Sequence, residues 1–189
     1  PEFSVTSKVV MVTEQAAFAT LKPESVGPVL LTQRPPLVNN FMNAIRQAGF
    51  EVYVVGGAVR NLLLSKEVTN WDFATNATPE LIQKLFPDNF YHNVYGTVTV
   101  KDGDNLFEIT PYRKESNYTD NRHPELIEWA KTLSEDLARR DFTINAMAYD
   151  GKELIDLYEG QKHIEEKIIV TVGDPDKRFQ EDALRLMRG

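Results

Sequence analysis

A strand, a glycine pair and a helix onset meet in Val54-Val55-Gly56-Gly57-Ala58-Val59-Arg60. Apolar residues from Val52 to Val55 read as the strand, the glycines break it, and residues 58–64 have the spacing of a short helix. Bare N–H groups at such a turn, backed by the positive end of a helix dipole, suit an anion, phosphate above all. Arg60 follows the glycines, where a guanidinium can grip phosphate oxygens bidentately. Alone, it reads equally well as a surface salt-bridge residue. Asp72, in Asn70-Trp71-Asp72-Phe73, falls on a short extended segment with position 70 on its face by the two-residue strand period. A carboxylate there could hold Mg²⁺ beside the phosphate. The combination reads as a nucleotide site.

Three further stretches carry chemistry-capable side chains. Glu108 sits in Phe107-Glu108-Ile109-Thr110, its apolar neighbours pointing one way and Glu108 the other; alone, it is a solvent-facing strand residue. Arg139-Arg140-Asp141 lies in the run from Glu135 to Met147, which also holds Asn145. Two Arg before an Asp is common on helix surfaces, whereas the full run is specific. In Glu181-Asp182-Ala183-Leu184-Arg185, Asp182 and Arg185 are three apart and would share a helix face. An ordinary intrahelical ion pair has that spacing too.

With Gly-Gly-Ala-Val-Arg and Asn-Trp-Asp-Phe-Ala-Thr in this order, the chain resembles the head domain of class II tRNA nucleotidyltransferases. These are CCA-adding enzymes, with bacterial poly(A) polymerases as close relatives, in the DNA polymerase beta-like nucleotidyltransferase superfamily. The resemblance covers about residues 40 to 189. It implies an α+β fold, a mixed and mostly antiparallel sheet flanked by helices, followed by the start of an all-helical neck. It divides the chain into a 1–36 extension, a 37–173 catalytic head and a 174–189 neck segment, without the family's body and tail.

The resemblance also implies roles. Asp72 and Glu108, with position 70, would hold Mg²⁺, two ions roughly 3.5–4 Å apart activating a 3′-hydroxyl and neutralising the triphosphate. Gly56, Gly57 and Arg60 would bind the triphosphate; Arg139, Arg140, Asp141 and Asn145 would serve the triphosphate and ribose, an Asp accepting from a 2′-hydroxyl. Asp182 and Arg185 would read the Watson–Crick edge of C or A. The implied partners are the tRNA 3′ end, CTP and ATP.

The chain departs from the family pattern at Asn70, where Asp is usual, and at Asn61 and Ser65. An amide oxygen can ligate Mg²⁺, but being neutral it leaves two dications with only Asp72 and Glu108 between them. An engineered inactive variant, a naturally weakened enzyme and a binding descendant all fit Asn70. A single designed knockout does not account for Asn61 and Ser65 as well.

The elements that must position these residues follow from periodicity. Leu37, Val38, Phe41, Met42 and Ile45 predict a helix ended by Gly49. Thr78-Pro79-Glu80 predicts an N-cap and a helix to about Phe86 that buries Leu81, Ile82 and Leu85. Residues 96–100 and 106–110 flank Asp102-Gly103 as a hairpin. Residues 112–124 are polar and aperiodic and read as a mobile loop. A helix is expected over 134–140, continuing through 142–147 before a strand near Tyr149. Strands are expected at 154–157 and 168–172 with a helix between them. Asp174-Pro175 opens a last helix expected to run unbroken to Gly189, as in a fragment of a longer protein. Before residue 37, Val9-Val10-Met11-Val12 reads as a short strand among breaking prolines, and Pro1-Glu2-Phe3 as a cloning remnant.

The totals set bounds. A length of 189 residues suits one domain or one domain plus an appendage, and 42% hydrophobic residues with ten Phe can bury a core. Cys is absent, which removes disulfides and thiolate chemistry and leans towards a cytoplasmic setting. No apolar run approaches the roughly 20 residues of a membrane helix, so no membrane partner is expected. With 21 basic and 28 acidic residues the net charge is −7, so attraction for RNA must come from local Arg residues, metal ions or a further segment. The expected function is template-independent addition of C or A to tRNA 3′ ends, with poly(A) polymerase as its nearest variant. A nucleotide- or RNA-binding module without turnover, or a folding fragment with no function of its own, are the alternatives.

Overall fold

A computed structural model describes residues 10–11, 35–92, 95–102, 105–118 and 124–188. Helix α1 (Pro36–Gln47) lays one apolar stripe, Val38, Phe41, Met42 and Ile45, into the core. The chain then runs through strand β2 (Val52–Val55), helix α2 (Gly57–Leu63), strand β3 (Trp71–Thr75) and helix α3 (Pro79–Leu85). Strands β4 (Asn89–His92), β5 (Thr97–Asp102) and β6 (Asn105–Pro111) follow, then β7 (Arg113–Tyr118) and β8 (Pro124–Trp129). Helix α4 (Leu133–Ala138), a 3₁₀ turn (Thr143–Asn145), strands β9 (Met147–Tyr149) and β10 (Leu154–Asp156) and helix α5 (Gly160–Glu166) complete the sheet region.

Seven strands form one sheet in the order β10-β9-β2-β3-β6-β5-β4. The β3–β6 pair is parallel and its other pairs are antiparallel. Strand alternation sends Trp71, Phe73, Phe107 and Ile109 into the core beneath α1 and α2. There the Phe41 ring lies 4.8 Å from Phe73, 4.8 Å from Phe107 and 4.5 Å from Phe86. The opposite face carries a smaller cluster of Val55, Ala74, Tyr112, Ala148 and Leu137 of α4. Asp72 and Glu108 point to this second face, away from the three helices of the main core.

Several expectations change. Within the expected loop over 112–124, residues 113–118 and 124 are strand instead: β7 and β8 pair antiparallel outside the main sheet, and Tyr112 is buried. Residues 113–118 carry no apolar alternation, so the sequence pattern did not mark β7. Leu81 is 36% exposed, since α3 turns Ile82 inward. Thr78 takes the N-cap position without a side-chain cap bond. Residues 142–147 do not extend the helix; Phe142 is extended and only the 3₁₀ turn follows. The last segment is two helices, α6 (Pro175–Glu181) and α7 (Arg185–Arg188), because Asp182 turns to φ −144°, ψ 107°. Strand β1 (Val10–Met11) pairs antiparallel with β11 (Ile168–Ile169); the remaining expectations before residue 35 lie outside the described residues. No described helix is long and apolar enough to cross a membrane.

Candidate nucleotide-binding site

The turn between β2 and α2 is built by Gly56, whose φ of 68° a side chain would strain. Space is tight as well: a Cβ here would stand 3.2 Å from Arg140 Nη1 and 3.8 Å from Asp72 Oδ2. The glycine therefore lets a cation and a carboxylate converge on bare backbone. From α2, Arg60 reaches across and donates from Nη1 to Asn145 Oδ1 at 2.6 Å, and from Nε and Nη2 to Asn61 Oδ1 at 3.3 and 3.2 Å. Both bonded partners are neutral amides, so they orient the guanidinium without cancelling its charge. Burial lowers the Arg60 pKa; Asp141 opposes that shift and Arg188 adds to it.

Asp72 and Glu108 are direct partners in the parallel β3–β6 register. The Asp72 carboxyl is pushed up to about 6, first by burial and then by the Glu108 charge, with Arg140 opposing. Asn70 precedes the strand, which starts at Trp71, and is exposed. Among the described residues no three His, Cys, Asp or Glu gather as a metal-binding group. The donor set is still hard oxygen, as Mg²⁺ prefers. Two facing carboxylates, one of them held protonated to higher pH by burial and by its neighbour's charge, fit one cation, which would relieve that repulsion. A second ion would have only the Asn70 amide to add.

Arg139 and Arg140 share a support that the sequence reading passed over. Asp136, 1% exposed on α4, accepts from Arg139 Nε and Arg140 Nη2 at 3.0 Å each and from the Arg113 backbone N–H at 3.3 Å. Burial alone would raise its pKa, but Arg140 and Arg139 overcome that and hold it below the usual carboxylate value. The signal was present, because Asp136 stands three and four residues before the two arginines, the spacing of one helix turn, although both follow the end of α4. Thr132 and Glu135 open the same helix with a capping box.

Asp141 is largely buried. Its Oδ1 accepts from the Phe142 N–H at 2.8 Å and from Asn145 Nδ2 at 3.2 Å, and its Oδ2 lies 3.4 Å from Arg188 Nη1. Arg60, Asn145, Asp141 and Arg188 thus form one polar chain from the glycine turn to α7. The structure brings together Gly56, Gly57, Arg60, Asp72, Glu108, Arg140, Asp141 and Asn145.

Asp182 and Arg185 do not share a helix face as the spacing suggested. Asp182 lies between the two helices and its Oδ1 accepts from Leu184 N–H at 2.9 Å. Arg185, 5% exposed, donates from Nη1 to Glu181 Oε2 at 2.7 Å and to the Arg178 carbonyl at 2.9 Å. Local tethers, not helical periodicity, set their directions.

Known proteins share this arrangement of elements. The family model described as Poly A polymerase head domain matches residues 52–170. The CCA-adding enzyme of Lactobacillus helveticus (strain DPC 4571) is 47% identical over 170 residues, 89% of this chain and 41% of that enzyme. The CCA-adding enzyme of Leuconostoc citreum (strain KM20) is 50% identical over 167 residues, 87% of this chain and 40% of that enzyme. A crystal structure of the Bacillus stearothermophilus CCA-adding enzyme in complex with CTP superposes with a TM-score of 0.73 at 38% identity, over 82% of this chain and 38% of that one. The Thermotoga maritima CCA-adding enzyme complexed with tRNA gives 0.67 at 26% identity, over 86% of this chain and 39% of that one. The chain thus spans about two-fifths of the length of these relatives. Nucleotidyltransferases of this kind generally use divalent metals. By the match over residues 52–170, the chain belongs to the Poly A polymerase head domain family.

Proposed function

We propose that this chain is the nucleotidyl-transfer head of a CCA-adding enzyme, taking CTP and ATP and extending the 3′ end of tRNA with release of pyrophosphate. The observation that carries the reading is the facing pair Asp72 and Glu108 beside the Gly56 turn, with Arg140 at the same turn. CCA-adding enzymes at 47–50% identity support the choice of reaction. Residues 37–173 serve as the catalytic head and 174–189 begin the neck; a tRNA substrate fits a cytoplasmic setting.

The residues divide the work by charge. Arg60, oriented by Asn61 and Asn145, and the backbone N–H groups after Gly56 hold the triphosphate. Arg140, fixed by Asp136, stands at the turn where negative charge builds on the leaving pyrophosphate. Asp72 and Glu108, with Asn70, would hold Mg²⁺, which supplies activation of the attacking hydroxyl and neutralisation of phosphate charge. Asp141 and Asn145 serve the ribose, and Asp182 and Arg185 the base. Asn70 favours a second reading, a nucleotide- or RNA-binding module without turnover, because it removes one anionic ligand.

Incubating the chain with tRNA lacking its terminal nucleotides, Mg²⁺ and each labelled nucleotide separately decides between the two. Incorporation of C and A is expected. Incorporation of A alone in long runs would indicate a poly(A) polymerase. Nucleotide binding without incorporation would replace the enzyme by the binding module.

A further inference from the structure

We infer that Arg178 is a positioning residue for base selection, registering the Asp182–Arg185 segment against the Arg139-Arg140-Asp141 segment. The inference rests on the proposed reading of Asp182 and Arg185 as the groups facing the base. Arg178 belongs to neither motif and touches no residue assigned to the phosphates.

Its side chain makes three bonds in three directions. Nη2 donates to the Ala138 carbonyl at 2.6 Å, Nε to the Val172 carbonyl at 2.7 Å, and Nη1 to Glu181 Oε2 at 2.9 Å. Ala138 is the last residue of α4, where carbonyls lack intrahelical partners and the helix dipole favours a cation. Val172 donates its own N–H to the Asp141 carbonyl at 2.9 Å. Arg178 therefore grips the chain on both sides of Arg139-Arg140-Asp141, directly at Ala138 and through Val172 at Asp141.

The same residue holds the other segment by its backbone. The Arg178 carbonyl accepts from Arg185 Nη1, and Glu181 Oε2 is shared between Arg178 and Arg185. The helix break at Asp182 makes this tether necessary, because no continuous helix fixes Arg185 relative to the head. One guanidinium with a fork of donors satisfies all three acceptors; a Lys ammonium of similar charge lacks that geometry. Loosening the tether would leave the phosphate subsite intact and let the base-facing groups wander.

The test uses calorimetric binding of CTP, UTP and inorganic tripolyphosphate to the 189-residue chain and to Arg178→Gln and Arg178→Lys variants. The wild type is expected to prefer CTP to UTP. In Arg178→Gln that preference should fall roughly tenfold towards parity, as expected for lost charge-assisted hydrogen bonds, while tripolyphosphate affinity stays within about twofold. Arg178→Lys should retain part of the preference. An unchanged CTP-to-UTP ratio in Arg178→Gln overturns the inference. So does a loss of ratio and tripolyphosphate affinity in parallel in both variants, which marks a merely structural clamp. A wild type without preference fails the base-reading assignment itself, and this inference with it; a discriminating wild type matched by Arg178→Gln fails this inference alone.

Discussion

Asp72 and Glu108 stand opposite each other in the parallel register of β3 and β6, on the sheet face turned away from the α1 core. Two carboxylates placed so repel; Glu108 is exposed to water, whereas the partial burial of Asp72 adds to the cost of its charge. The arrangement is unfavourable for an isolated fold, as expected of a site shaped to hold a cation rather than to stabilise the chain. Arg140, beside Gly56, offsets part of the charge from the protein's own side.

The cost can be read from pH dependence. The Asp72 carboxyl is raised from 3.8 to about 6, so between these values the folded chain keeps a proton that the unfolded chain has lost. Stability is therefore lost as pH rises through about 6 and regained as it falls towards 4, by at most ~3 kcal/mol. In metal-free buffer, Asp72→Asn should melt above the wild type at neutral pH, and the gap should close by about pH 4. Mg²⁺ should close it from the other side by raising the wild type alone. A gap in melting temperature that ignores both pH and Mg²⁺ would place the Asp72 charge elsewhere than at a cation site.

Asn70→Asp should strengthen Mg²⁺ binding, read as stabilisation against thermal unfolding, by roughly threefold to tenfold in midpoint concentration. With the rest of the neck and body supplied, nucleotide incorporation should rise with it, and Asp72→Ala should abolish whatever incorporation exists. The gain is expected to be moderate, because Asn70 is exposed and precedes the strand rather than sitting in it. If the midpoint does not move, position 70 does not face the carboxylate pair.

The face pairing was legible because strand alternation marks it twice. Trp71 and Phe73 flank Asp72 as Phe107 and Ile109 flank Glu108, and burying these four apolar residues on one face sends both carboxylates to the other. The β7–β8 hairpin left no such mark, since Arg113-Lys114-Glu115-Ser116-Asn117-Tyr118 lies outside the main sheet. The break at Asp182 was hidden for a different reason. Residues 175–188 read as one helical run, whereas Asp182 turns to extended backbone and Arg185 is tied locally to the Arg178 carbonyl and to Glu181. Asp136 was visible at helical spacing from both arginines, yet its near-complete burial could not be read from a run of charged residues.

Arg60 gives the most direct measure of the anion site. Its three hydrogen bonds go to the amide oxygens of Asn61 and Asn145, so its charge is oriented but not paired within those contacts. Arg60→Ala should weaken ATP binding by roughly 1.5–3 kcal/mol, the range for hydrogen bonds to a charged group. Stability should change less than affinity, because the variant leaves two exposable amides rather than a buried unpaired carboxylate. Asn145→Ala should produce a smaller loss of affinity, since Asn61 still holds Nε and Nη2 in place. Unchanged ATP affinity by calorimetry in Arg60→Ala would move the triphosphate away from this turn. A loss in Asn145→Ala as large as in Arg60→Ala would assign Asn145 a contact with the nucleotide itself.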